Sequence, residues 1–99
     1  MTKTPDFKTI VEPTPTRDGL VEAYAGINAA LDRGDRADAL AAWDALRRRY
    51  DTWSALVHLR FAQDTTDATA RADRDYADAL SPEAADLEIA LKRRLLADP

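Results

Sequence analysis

Apolar positions recur along most of the chain at steps of three and four, the spacing that lines one face of an α-helix. Leu20, Tyr24, Ile27 and Leu31 form the first such stripe, behind Asp18, a residue type suited to an N-cap. Arg33 and Gly34 supply a last-turn cation and a glycine free to adopt the left-handed conformation that ends helices. Asp35 can cap a second helix, and no glycine or proline interrupts the chain from there to Ser81. Leu40, Trp43, Leu46, Tyr50, Trp53, Val57 and Phe61 make a second, longer stripe, widened by Leu56 and Leu59. Asp64-Thr65-Thr66-Asp67 then offers four side chains that compete for their own backbone, which predicts a turn or a fresh cap. Residues 68–80 favour a third helix with only a thin stripe of Ala72, Tyr76 and Leu80. Ser81-Pro82-Glu83 has the order of a helix start, and predicts a fourth helix carrying Leu87, Leu91 and Leu95. The predicted fold is all-α: four helices, with an antiparallel hairpin across Gly34-Asp35 and a long central helix. Residues 1–17, with Pro5, Pro13 and Pro15, read as an extended arm, and residues 18–99 as the helical domain.

Composition narrows this picture without naming a function. The chain has 99 residues, enough for one small domain. Its 45% hydrophobic content includes twenty alanines, so only about a quarter of the residues can fill a core. The net charge of −4 argues against a general nucleic-acid binder, which needs a basic face. No run approaches the twenty apolar residues of a membrane span, and the amino terminus lacks the apolar stretch of a secretory signal. The absence of cysteine removes disulfides, thiolate metal sites and cysteine nucleophiles, and fits a cytoplasmic protein.

Candidate chemistry is sparse. His58 is the only histidine, and a lone histidine cannot assemble a metal site, so it reads as packed or as part of the hairpin surface. Arg47-Arg48-Arg49 fans around its helix and reads as solvated surface paired with Asp44 and Asp51. Asp73, Asp75 and Asp78 lack the glycine and closing glutamate of a calcium loop. No catalytic or metal-binding residue is expected. What stands out is the aromatic stripe of Trp43, Tyr50, Trp53, Val57 and Phe61, either core or a surface for another protein. The alanine-lined third helix is expected to leave aromatic area near Trp53 to Phe61 uncovered, and the chain to associate through it.

The stretch Arg48-Arg49-Tyr50-Asp51-Thr52-Trp53-Ser54-Ala55-Leu56-Val57-His58-Leu59-Arg60-Phe61-Ala62-Gln63-Asp64-Thr65-Thr66-Asp67 resembles an early segment of bacterial oligoendopeptidases. These belong to the oligoendopeptidase F and thimet-oligopeptidase group of zinc metallopeptidases. The likeness runs on through Asp75-Tyr76 and Ser81-Pro82, and back to the helix near Asp35. It implies the N-terminal helical, non-catalytic segment of an enzyme that hydrolyses short peptides. It also implies zinc for the parent enzyme, held by an H-E-x-x-H helix and a later glutamate, none of which this chain contains. The chain then reads as a fragment of a longer protein, whose partner is the remainder of the parent enzyme or a second copy. A weaker likeness, carried by Gly34, Ala39, Trp43 and Leu46, is to a tetratricopeptide-type hairpin and implies a free-standing interaction module.

Overall fold

The computed structural model describes residues 14–97, in which the chain forms α1 (Arg17–Asp32), α2 (Arg36–Gln63) and α3 (Ala68–Ala97). Most of the expected extended arm, residues 1–13, lies outside the described residues. The all-helical expectation holds, but the described helices number three, not four. Ser81-Pro82-Glu83 does not start a helix, because α3 runs straight through Pro82. Proline's fixed φ suits a helix, and its cost is a missing N–H and crowding against the carbonyl four residues back. Here packing on both sides of Pro82 outweighs that local cost, since Leu80 and Leu91 of the same helix are both buried.

Helix ends follow local chemistry. Thr16, not Asp18, caps α1: its backbone is extended and its hydroxyl accepts from the Gly19 N–H at 3.0 Å. Asp18 falls within the first turn, where a carboxylate still favours the positive helix end. Gly34 ends the first segment with φ at +78°, and the Gly34 and Asp35 N–H groups donate to Leu31 and Ala30 carbonyls at 3.0 and 2.9 Å. That pair of bonds is the Schellman arrangement, which needs a residue without a Cβ penalty at this position. Asp35 accepts from the Asp38 N–H and opens α2. Between α2 and α3, the Asp64 carboxylate accepts from the Thr66 hydroxyl and N–H at 2.6 and 3.0 Å, which holds its pKa below the ordinary value. Asp67 then accepts from Thr69 and Ala70 N–H groups at the start of α3.

Every helix packs on the other two. Two buried clusters result, one at each end of the bundle. Leu20, Trp53, Val57, Ala77 and Leu80 make the first; Tyr24, Ile27, Ala30, Ala39 and Leu91 make the second. Leu46 and Leu87 pack against both clusters and join them. None of the described helices is long and apolar enough to cross a membrane.

Candidate functional site

The stripe on α2 is distributed between interior and rim. Trp53 and Val57 are each 1% exposed, whereas Trp43, Tyr50 and Phe61 are half-buried. Trp53 lies against Tyr50, with ring centroids 5.7 Å apart, and takes the edge of Tyr76 from α3 at 6.0 Å. The Tyr76 hydroxyl donates to the Pro15 carbonyl at 2.7 Å, fastening the approach to α1 onto α3. Phe61 is covered by the Arg74 guanidinium, 4.2 Å from its ring centroid. The expected uncovered aromatic area is therefore largely occupied by α3. Alanine fits this: Ala77, 1% exposed, shares the buried cluster with Trp53, where its small side chain leaves room for the indole.

Trp43, ten residues earlier, sits differently. Arg47 and Lys92 flank its ring at 5.8 and 6.0 Å. A shallow cleft opens between the helices, lined by Leu20, Tyr24, Leu46, Tyr50, Ser81 and Glu88. Burial, then the negative charge of Glu88, raises the Tyr24 pKa above its ordinary value, and burial raises that of Tyr50. Hydrogen bonding of Tyr24 with the Trp43 side chain and of Tyr50 with Ser81 offsets part of that rise, whereas the buried Trp53 Nε1 has no hydrogen-bond partner. Trp53 Nε1 is a donor in an apolar setting, a polar cost that the packing of the indole outweighs.

His58 reaches between two helices. It is exposed on α2, with Nδ1 2.7 Å from the Ser54 carbonyl and Nε2 3.0 Å from Asp78 Oδ1 on α3. The Ser54 hydrogen bond and then the Asp78 hydrogen bond raise its pKa. Both partners accept, so the arrangement favours the imidazolium, in which both nitrogens donate. Such a ring has no lone pair left for a metal or for general-base work. Asp78 lies twenty residues away on another helix, so sequence spacing could not pair the two. Arg47 and Arg48 both pair with Asp44, as the sequence suggested for the first of its partners, and Asp51 lines the cleft instead. Among the described residues, no group of three or more His, Cys, Asp or Glu side chains could hold a metal ion. The described residues do not fit a zinc site.

No curated protein and no solved structure matches the chain. A family model does, and its match spans residues 7–99, taking in all three helices and both buried clusters. On that match, the chain belongs to the family described as the Peptidase M3 N-terminal domain.

Proposed function

We propose that this chain is the non-catalytic N-terminal helical part of a zinc-dependent oligoendopeptidase that cleaves short peptides in the cytoplasm. The family match over residues 7–99 carries the reading. The likeness of residues 48–67 to early segments of oligoendopeptidases supports the narrower substrate class, and the zinc belongs to the parent enzyme. Within that enzyme the three helices serve as a preformed structural unit, because their aromatic side chains are packed mainly against one another. Hydrolysis is the work of residues outside this chain.

The test joins the reading frame to an assay. A frame that continues beyond Pro99 into an H-E-x-x-H helix, with chelator-sensitive cleavage of quenched short peptides by the longer product only, is the expected result. Chelator-sensitive turnover by the pure 99-residue chain would overturn the reading. So would a longer product that cleaves nothing.

A further inference from the structure

The solvent side of α3 carries a second stripe that the bundle does not use. Pro82, Ala85, Ile89 and Leu96 are all exposed, Ile89 at 46% and Leu96 at 87%. At 100° per residue they fall within about 60° of arc, opposite the buried Leu80 and Leu91. Val21 of α1, 47% exposed, shares a shallow cleft with Asp86 on the flank of this stripe and extends it. The stripe spans fifteen residues, about 21 Å of helix.

Two charges give the stripe a direction. Asp86 and Arg93 are exposed, lie on the same flank, and make no ion pair among the described residues. They stand seven residues apart, about 10 Å along the axis, too far to neutralise each other within one helix. Ile89 lies between them. When two copies of α3 pack antiparallel about a two-fold axis at Ile89, positions before the centre meet positions after it on the same flank. Asp86 then faces the partner copy's Arg93 twice, Ile89 meets its own counterpart, and Pro82 lies against the second copy's Leu96. A two-fold contact requires this self-complementarity, and the sequence supplies it in apolar and charged positions together.

We infer that the outer face of α3, centred on Ile89 with Asp86 and Arg93 as reciprocal ion pairs, is an antiparallel docking surface for a second copy of this chain. The inference goes beyond the peptidase assignment and does not depend on it. One helix face buries less than a standard interface, so the dimer is weak and concentration-dependent. Its ion pairs lie at the rim, so added salt weakens it.

Sedimentation equilibrium of the full chain, in a concentration series reaching the millimolar range, measures the association directly. Ile89→Asp is expected to weaken it by about tenfold or more while leaving helicity unchanged, since the residue is 46% exposed and belongs to neither buried cluster. Asp86→Arg and Arg93→Asp should each weaken the dimer, and the double variant should restore it. The chain has no cysteine, so Ile89→Cys adds one thiol that is expected to crosslink to its own counterpart under mild oxidation. A monomeric mass at every concentration would overturn the inference. So would a dimer indifferent to Ile89→Asp, a double charge swap no better than the single ones, or association only with the remainder of a peptidase.

Discussion

Trp43 and Trp53 are the same residue on the same helix, ten positions apart, yet they serve different ends of the bundle in different ways. Trp53 is fully enclosed by Leu20, Val57, Ala77 and Leu80, with tyrosines on two sides. Trp43 only leans on the second cluster, and its other flank is covered by the stems and charges of Arg47 and Lys92. The two ends are also fastened differently. At the Trp53 end three fastenings join α2 to α3, namely His58 to Asp78, Arg60 to Asp73 at 3.8 Å and Arg74 over Phe61, while Tyr76 to Pro15 and Arg17 to Glu83 tie in the start of α1. At the Trp43 end Arg94 reaches from α3 to α1, donating to the Asn28 carbonyl and side chain and pairing with Asp32. Arg36 adds a long 3.5 Å bond to the Leu95 carbonyl. The contrast teaches that one periodic stripe can be interior at one end and rim at the other, according to how closely the facing helix approaches.

The largest expected effect tests that contrast directly. Trp53→Ala should cost about 3–5 kcal/mol, and Trp43→Ala only about 1–2 kcal/mol, because less of it is removed from water. Denaturant melts followed by circular dichroism measure both, and equal losses would dissolve the distinction. Next, Pro82→Ala restores an N–H to the middle of α3 and should stabilise the chain by up to about 3 kcal/mol, read from the same melts. A loss instead would mean that packing at residue 82 depends on the proline ring. Gly34→Ala places a Cβ at φ +78° and should cost about 1 kcal/mol, with the helices unchanged by circular dichroism.

The smallest effect concerns His58 at the Trp53 end. Its folded pKa lies above the ordinary 6.5, so its contribution to stability is complete below that value and fades as pH rises through the folded pKa. Solvent exposure keeps the contribution small. Melts at slightly acidic and slightly alkaline pH should differ in that direction, and Asp78→Asn should reduce the difference. An unchanged His58 titration in that variant, followed by NMR, would show that Asp78 does not hold the imidazolium.

Much of the architecture was legible in the sequence, for identifiable reasons. Leu20, Tyr24 and Ile27 mark the buried face of α1, and Gly34 with Asp35 marks the reversal, because helix periodicity and left-handed caps are local properties. The Asp64–Asp67 break is local in the same sense. Ser81-Pro82-Glu83 misled because its signals are also local, while the continuity of α3 comes from packing at Leu80 and Leu91 on either side. The stripe of α2 was visible as a stripe. That Trp53 would be enclosed and Trp43 left at the rim depends on where Ala70 and Ala77 bring α3, which no spacing along α2 encodes. The His58–Asp78 bridge is non-local, and neither residue carries a motif that announces the other.

Pro82 has one further consequence, in how the bundle opens rather than in how it stands. Without an N–H at position 82, the Asp78 carbonyl receives no helical bond at the joint between the two buried clusters. Ala77 and Leu80, before the proline, belong to the Trp53 cluster and Leu91 to the other, while just beyond it Ala84 packs on the first and Leu87 on both, so the proline places a weak point in α3 where the clusters meet. The stretch before the proline can then open with a lower free energy than the stretch after it, which holds to both clusters. Amide protons on the two sides of residue 82 should accordingly exchange with solvent as two families, and Pro82→Ala should merge them into one.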